Sequence, residues 1–324
     1  MAYRCLRGAL AARALLAAAA GMPLDKVAAQ DYPTRPITLI VPYPPGGGVD
    51  VMARLVGQRL SAALGRQVVI ENRGGAGGMI GTRDLARAAP DGYTLGMMLT
   101  GISLGAQTGY DVNKDFSPIG LIASTPILIV ANPSLPAKSL ADVIGLAKRQ
   151  PGKLSAGTPP APTINYFAAR LFNLTAGVDI TVVTYKGTAP LTNDVLGNHV
   201  PLGFDTIPAA VSKIGAGQLR AIAVTGAVRS AALPNVPTAA ESGLPGFEAV
   251  QYYGLAAPAG VPRPIVERLN NELRKILATE DFKKRLIEVG SDPAPSTPEQ
   301  YAANIKREEG KWAALVKKLG LKLE

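Results

Sequence analysis

From residue 31 onward, short runs of apolar and β-branched residues alternate with segments whose apolar positions recur every three or four residues, with Gly and Pro at the joins. That alternation is the mark of parallel α/β construction. The run 37–43 predicts a first strand. The stretch 49–64 then places Val51, Met52, Leu55, Val56, Leu60 and Leu64 at helical spacing and stops at Gly65, so it predicts a helix. Strand signals recur at 68–71 and 93–99, around a short helix at 82–89. Two apolar runs at 119–123 and 126–131 follow and lead into Asn132 and Pro133, where the chain is expected to change lobes.

The alternation then restarts. Helices are predicted at 140–149, 164–172, 189–196 and 208–214, and strands near 154 and at 181–185, 201–205 and 220–225. A return strand at 250–257 precedes helices at 262–278, 281–289 and 298–319. The last of these opens on Thr297, with Pro298 and Gln300 behind it, a capping-box start. This pattern divides the chain into a first lobe of 30–131, to which 252–324 returns, and a second lobe of 132–251. A chain of 324 residues with 47% hydrophobic content is long enough for two such cores.

The first 29 residues stand apart. A basic start, an apolar run at 14–20 and the small residues Val27 and Ala29 predict a secretory signal peptide cleaved after Ala29. The apolar run is shorter than the roughly 20 residues a membrane helix needs, and no later stretch approaches that length. Export to the periplasm is the expectation. The only cysteine, Cys5, would leave with the signal, so neither disulfide nor thiol chemistry is expected in the mature chain. One histidine, His199, and no other cysteine argue against zinc or copper sites, and no metal or cofactor is expected.

The formal charge of +10 falls to about +7 once Arg4, Arg7, Arg13, Lys26 and Asp25 are removed. The densest basic groups, Lys283–Arg285 and Lys317–Lys318, sit on amphipathic patterns, and aromatics are only 5%. Solvated helix faces account for them, and nucleic acid is not an expected partner. A residual positive charge favours an anionic small molecule.

Candidate chemistry concentrates in glycine-rich loops. Residues 42–50, PYPPGGGVD, join the first strand to the first helix. Gly46, Gly47 and Gly48 let backbone amides approach an anion without a Cβ in the way, and the helix N-terminus adds partial positive charge. The loop reads either as an anion cradle or as a plain tight turn. It contains neither a GxxxxGK[ST] phosphate loop nor a GxGxxG dinucleotide fingerprint. Residues 73–78, RGGAGG, offer the same two readings. The segment 101–105, GISLG, matches the nucleophile elbow of a serine hydrolase with Ser103 as nucleophile, but the only candidate base, His199, leads into a strand instead of lying on a free loop. Asp205, at a strand end before a helix, serves either as a cap or in a cleft.

These segments together resemble one family, the substrate-binding proteins of tripartite tricarboxylate transporters, often called the Bug family. The loop 42–50 is similar to that family's PF-PGG-D loop, and VVIENRGGAGGMIG at 68–81 to its VVENRPGAGGNIG segment. APDGYTL at 89–95, YKGTAP at 185–190, RAIAVT at 220–225 and the LPNVPTAAESGLPGF run at 233–247 resemble further family segments in the same order. The resemblance implies a type II periplasmic-binding-protein fold, with two α/β lobes closing on a central cleft. It also implies a monomer that is not an enzyme, binds a small organic acid and delivers it to membrane permease subunits.

Family practice holds ligand carboxylates through backbone amides and Ser/Thr-rich loops. Carried onto this chain, it implies first-lobe contacts at Tyr43, Gly46, Gly47 and Gly48, with Asp50 adjacent and residues Thr100 to Ser103 facing the cleft. Second-lobe contacts fall on Thr158, Thr163, Tyr185, Gly187 and Asp205. One segment departs: Pro160, Pro162 and Tyr166 stand where the family usually has two glycines and a histidine. Proline removes a donor and fixes φ, so the second-lobe end of the pocket is expected to be stiffer and less polar, suited to an aromatic or longer acid. A hydrolase using Ser103, or a receptor that senses the acid for a signalling partner, are the competing functions.

Overall fold

A computed structural model of the protein describes residues 32–100 and 109–320. The signal-peptide expectation at 1–29 and the GISLG segment with Ser103 lie outside the described residues.

The first strand, β1 (Ile37–Val41), runs parallel between β2 (Val68–Asn72) and β3 (Thr94–Leu99). Its side chains are almost wholly buried on both faces, which is why it reads as a continuous apolar run without alternation. Helix α1 (Gly48–Leu64) crosses over with Met52, Val56 and Leu60 on the buried face and ends at Gly65 in the left-handed region, where glycine meets no Cβ penalty. Helix α2 (Met79–Ala86) begins three residues earlier than the sequence pattern indicates, because a single 3₁₀ turn at Ala76–Gly78 leads into it.

The two apolar runs at 119–123 and 126–131 form one strand, β4 (Phe116–Ala131). Its first part pairs antiparallel with β9 (Val250–Pro258). From Ile127 onward its partners are β7 (Leu202–Thr206) and β8 (Arg220–Val224). Pro126, which has no N–H to give a ladder, stands where the partners change. The remaining second-half elements are α3 (Leu140–Arg149), β5 (Ser155–Thr158), α4 (Ile164–Ala176), β6 (Thr181–Thr184), α5 (Thr188–Leu196) and α6 (Ile207–Gly215). Then come α7 (Arg263–Ala278), α8 (Glu280–Glu288), the two-residue β10 (Asp292–Pro293) and α9 (Pro298–Leu319). The strand order is β2-β1-β3-β9-β4-β7-β5-β6, with β8 and β10 also on β4.

Among the described residues, the largest apolar cluster of each lobe forms its main core. One gathers Leu39, Met52, Ile119, Tyr253 and Leu269; the other gathers Ile129, Phe167, Phe172, Phe204 and Phe247. Three elements join them. Strands β4 and β9 make the crossings, and α9 touches both sides. Its Tyr301 packs with Met98 and Leu121 near the first core, while Trp312 belongs to the second core and stacks on Phe167, ring centroids 5.8 Å apart.

The crossings are tied together by Thr225, which is fully buried. Its N–H donates to the Ile127 carbonyl at 2.9 Å, and its hydroxyl donates to the Ala249 carbonyl at 2.6 Å while accepting the Ile127 N–H at 2.9 Å. A hydroxyl thus holds both inter-lobe segments at one point. Thr225→Val keeps the shape and removes these bonds. It is expected to lower unfolding stability by about 1–3 kcal/mol in urea denaturation, the usual cost of leaving buried polar groups unpaired.

Candidate functional site

The first βα loop is shaped by its own side chains. Gly46 has φ +83, a conformation that favours glycine, and its N–H donates to Asp50 Oδ2 at 3.0 Å. Asp50 also accepts from Arg54 Nε at 2.9 Å and from Asn72 Nδ2 at 3.0 Å. Burial pushes the Asp50 carboxyl up, but the bonds from Arg54, Gly46 and Asn72 outweigh it and hold the group below the usual carboxylate range. Asp50 is therefore a charged brace inside the loop, turned from the cleft. Tyr43 is buried, donates to the Gly77 carbonyl at 2.7 Å, and is kept neutral by burial.

Between the two cores lies a cavity of about 390 Å³, open solvent at its mouth included. Tyr43, Pro44, Gly47, Gly48, Val49 and Leu99 form its first-lobe wall. Pro159, Thr163, Asn165, Thr188 and Thr206 face them from the second lobe, and Gln251 and Tyr253 of β9 close the back. None of these described lining residues carries a charge.

The lining falls at helix starts. Gly47 caps α1 and Gly48 is its first residue; Thr163 caps α4, with Asn165 in its first turn; Thr188 opens α5; Thr206 caps α6. Four helix N-termini thus converge on one small cavity. A helix start carries about half a positive charge and amides without partners inside the helix; the Gly48 and Tyr166 amides are already met by Thr188 and Thr163, and the converging dipoles make the described lining anion-attracting without a lysine or arginine.

Two hydroxyls at this convergence lack well-formed partners. Thr206 Oγ1 and Tyr253 Oη are buried, 4% and 0% exposed by residue, and neither makes a hydrogen bond of normal geometry; each is the other's nearest weak hydrogen-bond neighbour, and both keep capacity for a ligand. Both lie beside Gly48: a Cβ built there would collide with Thr206 Oγ1 and come within 3.3 Å of Tyr253 Oη. Burial raises the Tyr253 phenol well above its ordinary value, so it stays a neutral donor.

The lobes touch across the cleft. The Gly48 N–H donates to Thr188 Oγ1 at 3.2 Å. Gly77 packs on the proline loop, where an added Cβ would lie 2.5 Å from the Ala161 carbonyl oxygen, and Gly187 sits over Pro44. The arrangement is a closed cleft.

Of the residues anticipated from sequence, Tyr43, Gly47, Gly48 and Thr163 line the cavity. Gly46 and Gly187 lie at the seam, beside Ala189 and Pro44. Thr158, Tyr185 and Asp205 stand behind the second-lobe wall. The Thr158 hydroxyl donates to the Pro159 carbonyl, and the Thr158 carbonyl accepts the Tyr185 N–H. Asp205 has no exposed surface; burial pushes its carboxyl up to about 7, against bonds from Thr192 and the Thr206 N–H and the charge of Lys213. Thr100 accepts the Tyr252 N–H at 2.8 Å and faces a different pocket, with Tyr301 and Glu308.

Sequence reasoning missed Asn165, Thr188, Thr206, Gln251 and Tyr253. Thr188 and Thr206 each follow an anticipated residue, Gly187 and Asp205, and a helix start beside each is the signal that could have found them. His199 is exposed just beyond the C-terminal end of α5, whose other end supplies Thr188 to the cavity.

A family model described as tripartite tricarboxylate transporter family receptor matches residues 52–321. Protein BugT of Bordetella pertussis is 36% identical over 304 residues, covering 92% of this chain and 93% of its own. The structure of R. palustris Rpa4515 with adipate superposes with a TM-score of 0.87 at 36% identity, over 90% of this chain and 99% of that one. MatC from Rhodopseudomonas palustris with bound malate gives 0.83 at 32% identity, over 88% and 100%. The type II periplasmic-binding-protein fold anticipated from the sequence is the fold observed, and the chain belongs to the tripartite tricarboxylate transporter receptor family, the Bug-type solute-binding proteins.

Proposed function

We propose that this protein works in the periplasm as a solute-binding protein. It captures a small organic acid with the acid's carboxylate at the four converging helix N-termini, and presents it to the permease subunits of a tripartite transporter. The convergence is the observation that carries the reading. A carboxylate accepts several hydrogen bonds at once, and amide ends plus two hydroxyls without well-formed partners offer donors without a counter-charge that would hold the ligand too firmly to release. Binding without catalysis suits the described lining residues, among which there is neither a base nor a nucleophile poised beside one. Adipate in Rpa4515 and malate in MatC support a carboxylate as the ligand class. The apolar stretch formed by Val49, Leu99 and Pro159 suits the hydrocarbon part of such an acid.

Thermal-shift screening of mono-, di- and tricarboxylates, amino acids and aromatic acids tests the ligand class. A true ligand at a hundredfold excess over its Kd stabilises by about 2.7 kcal/mol, several degrees in Tm for a chain of this size. No shift with any acid at saturation contradicts the reading.

Gly48→Ala tests the closed geometry. The new methyl meets Thr206 Oγ1 only when the lobes are together, and alanine is a better helix former than glycine. The unliganded Tm is expected to hold or rise slightly, while calorimetry shows affinity for the stabilising acid reduced at least about tenfold, the equivalent of 1.4 kcal/mol.

A further inference from the structure

Behind the second-lobe wall, Asp205 Oδ1 accepts the Thr206 N–H at 2.7 Å, and Oδ2 lies 2.5 Å from Thr192 Oγ1. The same Thr192 hydroxyl is 2.7 Å from the Thr188 carbonyl oxygen. A threonine hydroxyl has one hydrogen to donate. If Asp205 were ionised, the carboxylate and the carbonyl would compete for that hydrogen. If Asp205 is protonated, its O–H donates to Thr192, which donates onward to Thr188, and every atom in the chain is served. The geometry fits the neutral acid.

We propose that carboxylate capture in this cleft is coupled to the uptake of one proton by Asp205, so that affinity falls as pH rises through the neutral range. The inference rests on the carboxylate reading given above. Thr206 and Thr188, the two residues bonded to this chain, are themselves cavity-lining and helix-opening residues. A bound anion and an ionised Asp205 would therefore face each other through one layer of threonine, and like charges at such sites disfavour ionisation.

The surroundings offer little to neutralise the second charge. Lys213 on α6 is the cation whose field reaches Asp205. Tyr253 on β9 is a neutral phenol raised by burial, and Asp194 on α5 is engaged with Tyr185. On α4, Asn165 donates to the Phe204 carbonyl. The neighbouring strands β4 and β5 contain no titratable residue.

The sign follows from linkage. With the group near 7 in the unliganded protein and higher in the complex, the complex binds more protons. Affinity is flat below about pH 7, falls above it, and levels again once Asp205 ionises in the complex too. Each unit by which binding raises the group equals about a tenfold change in affinity, and the coupling is reciprocal.

The test is calorimetric titration of the mature protein with adipate, malate, succinate, benzoate and glutamate between about pH 6 and 9, in buffers of different ionisation enthalpy. For any acid that binds, we expect uptake of up to one proton per ligand just above neutrality and affinity at least about tenfold weaker at pH 9 than at pH 6. Asp205→Asn keeps a donor toward Thr192 and removes the ionisation, so its affinity is expected to lose this slope. Should that variant not fold, infrared difference spectra of the native chain give a second readout: adding ligand at about pH 8 increases the protonated-carboxyl band. Affinity independent of pH, the same slope in Asp205→Asn, or an unchanged carboxyl band overturns the inference and leaves the carboxylate reading standing. If no acid binds at any pH, both fall together.

Discussion

The structure depends on bringing four helix N-termini, from two separately packed lobes, to a single uncharged cavity. Helix starts are awkward to bury because their first amides have no partner within the helix. Here α1, α4, α5 and α6 all begin at the cleft, and the capping positions are Gly47, Thr163, Gly187 and Thr206. Among these caps, only Thr163 uses its side chain to bond its own helix. The others leave amides and a hydroxyl for something else to satisfy. The field of the cavity is therefore built from backbone dipoles, and the carboxyl groups near it, the ionised Asp50 and the buried Asp205, are turned away into braces on either side.

That arrangement requires the lobes to meet in one register and still to part. The crossings β4 and β9 lie side by side, and Thr225 ties them where the sheet changes partners. Helix α9 adds a third link, from Tyr301 near the first core to Trp312 in the second, stacked on the helix whose N-terminus lines the cavity. Two backbone crossings pinned at one buried hydroxyl favour rotation about that point over sliding, which fits hinge closure with small adjustments at a few residues. Small residues at the seam, Gly48, Gly77 and Gly187, permit the close approach.

Much of this was legible in the chain. Parallel strands buried on both faces read as apolar runs, glycine ended α1 where expected, and the capping box at Thr297 marked the start of α9. The glycine loop was visible as a candidate, an anion cradle or a plain tight turn, because its chemistry is local. What stayed hidden is set by long-range geometry. No local signal shows that Tyr253, in the middle of an apolar strand, ends beside Gly48, or that β4 continues through Pro126 by changing partners. Asp50 and Asp205 were visible as carboxylates near the cleft, but only the fold shows which neighbours claim their oxygens. Thr188 and Thr206 were one residue from anticipated positions, since a helix-start signal locates a turn and not the side chain that faces the ligand.

The most direct measurement of the central claim is a crystal structure of the protein with a stabilising acid bound. The account predicts one carboxylate of the ligand at the start of α1, its oxygens within hydrogen-bond distance of Thr206 Oγ1, Tyr253 Oη and helix-start amides from both lobes, with no side-chain cation in contact. A carboxylate held by an arginine or lysine, or an acid seated away from these helix starts, would contradict it.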